Sequence, residues 1–186
     1  MFSRFPVPDL ESLPDDMRGR IVEVAAKTGF IPNVFLALAH RPEEARAFFA
    51  YHDALMDKAS PALSKADREL IVVVTSSANG CLYCVVAHGA VLRIRSKNPL
   101  LADQVATDWR KADLDDRQRA ICDISVRFAR TPESVTASDW EGLRVHGLDD
   151  DDIWDVGAIV GLFGLSNRMA HLTNMQPNEE FYTMGR

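Results

Sequence analysis

The chain has 186 residues, a hydrophobic fraction of 47%, a charged fraction of 26% and a formal net charge of -6. These are the proportions of one ordinary globular domain, long enough to bury a sizeable core. The acidic balance argues against broad phosphate binding, and the densest basic cluster, Arg93, Arg95 and Lys97, is too short for a nucleic-acid face; it reads as the solvated end of a helix, where cations suit the macrodipole.

Helical periodicity dominates and strand alternation is nearly absent, so the expected fold class is all-α. Residues 1–13 are Pro-punctuated and read as extended. Pro14-Asp15-Asp16 opens a helix to about residue 28, and Gly29 suits a left-handed C-terminal cap. A second helix spans about 34–39 and a third about 42–58, with Ala45, Phe48, Phe49, Leu55 and Met56 at helical spacing. Ser64 is a candidate N-cap for the helix that holds Glu69. Its Ile71-Val72-Val73-Val74 run scores as strand on β-propensity alone, but the capped start and helical neighbours make it a buried helix. Asn79-Gly80 breaks the chain, and a new helix is expected from Cys81 to about 96. A polar segment containing Trp109 follows, then helices over about 115–128, 138–146 and 150–173, and a surface tail over 177–186.

Leu63-Ser64-Lys65-Ala66-Asp67 before one apolar stretch echoes Leu148-Asp149-Asp150-Asp151-Asp152 before another, a candidate duplication of a helix pair in which only the first copy carries cysteines. The opening M-F-S-R-F-P-V-P lacks an apolar signal-peptide core, and the apolar run 157–165 falls short of the roughly 20 residues a bilayer span needs. A cytoplasmic protein with no membrane partner is expected. Three cysteines, one of them distant, make no disulfide framework, so the C-x-x-C pair reads as catalytic or metal-binding.

Chemical density is concentrated in Glu69 to His88. Cys81, three positions before Cys84, would sit at the positive end of a helix dipole, where a thiolate is favoured. Cys84 and His88 are one turn apart, so the imidazole can take the Cys84 proton directly or through one water. A straight helix would leave Glu69 about 18 Å from Cys81; the Asn79-Gly80 break lets the two helices fold side by side and a Glu69–His88 hydrogen bond form. Rival readings are a zinc site using C-x-x-C-x-x-x-H, which lacks a second knuckle, and small cysteines packing a helix. His171 and Arg168, on an apolar helix, read mainly as satisfied core or interface residues, with a pocket as the alternative. His40, His52 and His146 read as solvated, Cys122 as inert core, and Trp109, Trp140 and Trp154 as packing anchors.

Glu69, eleven intervening residues, Cys81-Leu82-Tyr83-Cys84 and His88 together resemble the active-site signature of the AhpD-like alkylhydroperoxidases in the carboxymuconolactone decarboxylase superfamily. Gly29-Phe30-Ile31-Pro32-Asn33 and Ala37-Leu38-Ala39-His40-Arg41-Pro42-Glu43 resemble its peroxidase-related branch, and the echo at 148–170 fits the family's C-terminal half. The resemblance implies one AhpD-like helical domain over 1–186, with an N-terminal extension to about 60 and an active-site core over about 61–175. It implies a homotrimer or homohexamer that reduces an organic hydroperoxide or hydrogen peroxide without a cofactor or metal. By position, Cys84 would be the peroxidatic thiolate and Cys81 the resolving thiol. Glu69 and His88 would form the proton relay, and an external dithiol, in the family sometimes a lipoylated protein, would restore the thiols. Better-known members carry histidine where this chain has Tyr83, a poor base at neutral pH but still able to pass on a hydrogen bond.

Overall fold

A computed structural model describes residues 2–186, and ten α-helices with no strand form the described residues. An N-terminal layer holds α1 (Asp15–Thr28), α2 (Asn33–Leu38) and α3 (Pro42–Met56). Helix α1 ends on Gly29 at φ 85°, where a residue without Cβ takes the left-handed cap at little cost. Met17 and Ile21 of α1 bury against Phe35 of α2 and Phe49 of α3, whose rings stack at 4.4 Å.

The centre is α4 (Lys65–Ala78), flanked by α5 (Leu82–Ser96), α6 (Leu101–Asp108), α7 (Asp116–Arg130) and α9 (Asp150–Thr173), with α8 (Ala137–Glu141) packed at the edge. Reciprocal capping boxes set three of these starts: Ser64 with Asp67, Asp115 with Gln118, and Asp149 with Asp152. Neighbours on every side bury Ile71, Val72 and Val73 completely, which is why an isolated strand-like run is stable as a helix. Arg68, 1% exposed, ties the layers together: it donates to the Leu55 carbonyl at 2.8 Å and to Asp155 of α9 at 2.8 Å, while Lys58 approaches the same carboxylate at 2.7 Å.

Several expectations need correction. The polar segment before 115 contains α6, whose Leu101, Ala102 and Val105 bury against Leu70, Val74 and Leu92; eight residues are too few to show a strong period. The helix expected over 138–146 is the short α8 followed by a 3₁₀ turn at Arg144–His146. The tail expected over 177–186 is docked. It includes α10 (Glu180–Thr183), buries Phe181, and is held by Asn178, which donates to the Ile31 carbonyl and accepts from the Asn33 N–H. Arg93 is buried rather than solvated, because its guanidinium donates to the Phe181 and Met184 carbonyls. Trp140 packs on Phe128 at 5.2 Å, whereas Trp154 is 74% exposed and anchors nothing.

The echo ends at the helix starts. Both α4 and α9 open on a capping box with a buried aspartate, yet α9 runs unbroken through Gly164-Leu165, the positions matching Asn79-Gly80. No helix among the described residues is long and apolar enough to cross a membrane.

Candidate active site

The break between α4 and α5 builds the site. Asn79 ends α4, Gly80 turns the chain at φ 65°, and Cys81 becomes the N-cap of α5 with its N–H bonded to the Ser76 carbonyl at 2.9 Å. The Asn79 side chain donates to Asn167 of α9 at 2.8 Å, and Asn167 donates to Ser76 at 3.0 Å, so the turn is fastened from outside. Helix α5 then packs back along α4, and His88 Nδ1 reaches Glu69 Oε2 at 2.8 Å. Arg95, one of the three cations expected to be solvated, lies 3.2 Å from the other oxygen of Glu69. Phe163 of α9 closes on the His88 ring edge-to-face at 4.8 Å.

Cys81 and Cys84 are free thiols, each 2% exposed. A hydrogen bond from the Cys84 thiol favours charge on the Cys81 sulfur. Together with the Cys84 backbone N–H, nearby His171 and the Asn167 side chain, this draws the Cys81 thiol down to about 6 against the opposing effect of burial. Cys84 moves well above the ordinary thiol value, because it supplies that hydrogen bond, is buried, and faces the charge on Cys81. The Ser166 hydroxyl lies 3.7 Å from the Cys84 sulfur. The resting charge therefore belongs to a coupled pair and sits mainly on the N-cap sulfur.

A cavity of about 200 Å³ opens over Cys84 and His88, lined largely by apolar side chains from α2, α3, α5 and α9. Cys81 lies on another side, at a smaller opening of about 140 Å³ beside His171. Tyr83 is buried. Its hydroxyl accepts from the Val34 N–H at 3.1 Å, and burial raises its pKa further above the phenol value.

His52 is the residue sequence reasoning missed. It is half-buried and lines the Cys84 cavity, with its ring 6.2 Å from that of His88. Burial and the charge of His88 lower its pKa. The other candidates lie elsewhere. His171 Nε2 donates to the Asn79 carbonyl at 3.3 Å, exposed Arg168 donates within its own helix to Gly164, and Cys122 is fully buried, with burial raising its pKa. His40 stacks on Phe5 at an exposed edge. Among the described residues no three His, Cys, Asp or Glu side chains cluster as a metal site.

A buried vicinal dithiol served by a histidine–carboxylate dyad, on an all-helical frame, defines a class of thiol protein. The chain belongs to the carboxymuconolactone decarboxylase superfamily, in its AhpD-like group. Residues 42–99, which hold His52, Glu69, both site cysteines and His88, match the carboxymuconolactone decarboxylase family. The chain is similar to an alkylhydroperoxidase AhpD core, a peroxidase-related protein of Ralstonia eutropha JMP134. Identity is 59% over 100% of this chain and 97% of that one, with a TM-score of 0.97. A peroxidase-related protein of Silicibacter sp. TM1040 is 38% identical over 100% and 96%, with a TM-score of 0.92. The debrominase Bmp8, solved with 2,3,4-tribromopyrrole, shares the fold at a TM-score of 0.79 and 18% identity over 98% of this chain and 97% of its own. No curated protein matches the chain significantly.

Proposed function

We propose that this protein is a thiol-dependent peroxidase that reduces an organic hydroperoxide or hydrogen peroxide through a Cys81/Cys84 dithiol–disulfide cycle. The observation that carries the reading is the convergence of Cys84 and His88 on one cavity, with Glu69 bonded behind the imidazole. The peroxidase-related names of the two closely similar proteins support it.

Cys84 is the attacking sulfur because it lines that cavity and Cys81 does not. Its proton passes to the Cys81 thiolate or to His88, and the sulfur attacks the terminal peroxide oxygen. An S–O bond forms, the O–O bond breaks, and the alkoxide leaves with a proton as alcohol. Cys81, as thiolate, then attacks the Cys84 sulfenic acid; the S–S bond closes, the S–O bond breaks, and the departing hydroxide takes a proton from solvent, directly or through His88, to leave as water. An external dithiol, in related proteins sometimes lipoylated, takes up the oxidising equivalents. Glu69 fixes the His88 tautomer, because its carboxylate accepts from Nδ1–H and leaves Nε2 for proton transfer. The Tyr83 hydroxyl serves the frame instead of the relay, since it is engaged by Val34. The chain would self-associate as a homotrimer or homohexamer, and the apolar row of exposed Leu165 and Leu172 with half-buried Met169 on α9 is a surface suited to self-association.

The test is peroxide consumption with a dithiol reductant in the wild type and in Cys84→Ser; equal turnover refutes the proposal. A low-pKa thiol at a helix N-terminus also suits exchange with small disulfides. A second reading, a disulfide oxidoreductase, is therefore separated by comparing oxidation rates with peroxide and with a small disulfide. If the disulfide reacts and peroxide does not, the second reading stands.

A further inference from the structure

Two arginine–carboxylate–histidine chains end side by side at the Cys84 cavity, their imidazoles 6.2 Å apart. In one, Arg95 pairs with Glu69 and Glu69 with His88 Nδ1. In the other, Arg20 of α1 grips Asp53 in bidentate fashion at 2.8 and 2.9 Å, and the Asp53 carboxylate lies 3.2 Å from His52 Nδ1. Burial opposes ionisation of Asp53, but the hydrogen bonds from Arg20 and His52 outweigh it and hold its pKa below the ordinary carboxylate value. An ionised carboxylate only accepts, so His52 Nδ1 carries the proton and Nε2 carries the lone pair.

The other acceptors of the cavity wall are already engaged. Thr28 bonds the Val24 and Phe30 carbonyls, Tyr83 is held by Val34, Ser166 approaches Cys84, and the Arg20 terminal nitrogens are on Asp53. Without a partner stay two acceptors, the Nε2 atoms of His88 and His52, and two donors, the buried Arg20 Nε–H and the Tyr83 O–H. His88 is one helical turn from Cys84 and serves that thiol. The His52 imidazole is thus a free neutral acceptor in a largely apolar cavity, matched to a ligand that brings a hydrogen-bond donor on an apolar body.

We propose that His52 is a substrate-binding residue of the peroxidase reaction: its Nε2 accepts a hydrogen bond from the O–H of a hydroperoxide and turns the terminal oxygen toward Cys84. The O–H proton stays on that oxygen throughout and becomes the proton of the sulfenic acid, while His88 or Cys81 supplies the proton to the leaving alkoxide. The inference rests on the peroxidase reading and adds the N-terminal layer to the site, since both Arg20 and the His52-Asp53 pair come from it.

The test compares oxidation of the reduced protein by cumene hydroperoxide, which carries the O–H, with oxidation by diamide, which does not. His52→Phe keeps the ring volume and removes the acceptor, while His52→Gln restores an acceptor carbonyl. The expected result is a fall of about 10- to 100-fold in the hydroperoxide rate for His52→Phe, the effect of losing one buried polar match, with the diamide rate unchanged and much of the loss recovered in His52→Gln. An unchanged hydroperoxide rate in His52→Phe, or equal falls with both oxidants, overturns the inference and leaves the peroxidase reading intact. A wild type that reacts with diamide but not with hydroperoxide overturns the peroxidase reading and this inference with it.

Discussion

The sharing of one proton between Cys81 and Cys84 gives a quantity that is directly measurable. With the Cys81 thiol at about 6, roughly 90% of the pair carries a thiolate at pH 7, against about 3% for an ordinary thiol near 8.5. Thiolate absorbance at 240 nm, followed as reduced protein is titrated, should rise by one thiolate per chain with a midpoint near 6, while Cys84 and Cys122 stay silent to much higher pH. The largest contribution to the low value is the hydrogen bond donated by Cys84, so Cys84→Ala should move the midpoint toward the ordinary thiol range and cut the pH 7 thiolate several-fold. Cys84→Ser, which keeps a donor, should move it less, and Cys81→Ser should abolish the low-pH transition. The folded value lies below the unfolded one. Ionisation therefore stabilises the fold fully above the unfolded thiol value, and that contribution disappears as pH falls through about 6. A transition near 6 that persists in Cys81→Ser, or a midpoint indifferent to Cys84→Ala, would refute this account of the dithiol.

Other expectations concern the relay and the frame. His88→Ala should lower the peroxide kcat/KM by about 100- to 10,000-fold, the range of a general acid–base group, with Glu69→Gln intermediate; stopped-flow oxidation checks both. Tyr83→Phe should cost about 1 kcal/mol in urea unfolding, from loss of the Val34 hydrogen bond, and change peroxide turnover little. Arg68→Met leaves Asp155 buried with only Lys58 beside it and should cost about 3–5 kcal/mol. The joint replacement Arg68→Met and Asp155→Leu should recover most of that, as read from the denaturant midpoint.

The legible parts of the sequence were those with local causes. Ser64, Asp149 and Gly29 announce helix ends because capping is satisfied within three or four residues. The Glu69, Cys81, Cys84 and His88 constellation is visible because a helix break and one-turn spacings place those side chains. Helix α6 and the docked C-terminus were not legible. Eight residues show little period, and the segment after Pro177 is ordered by Arg93 and by its contacts with residues 31–33, far away in the chain. His52 sits 36 positions from His88 and carries no local signal of that partnership, and Arg95 reads like any cation in the last turn of a helix.

By itself the sequence determined an all-helical chain with a dithiol and an imidazole one turn apart, because period, capping and spacing are properties of neighbouring residues. Only the tertiary structure decided how the two sulfurs share one proton, which thiol meets the cavity, and that an N-terminal histidine stands beside the relay. Those outcomes depend on burial and on hydrogen bonds between helices distant in sequence: Cys84 donating to Cys81 beneath α9, and Arg20 and Asp53 turning His52 into an acceptor.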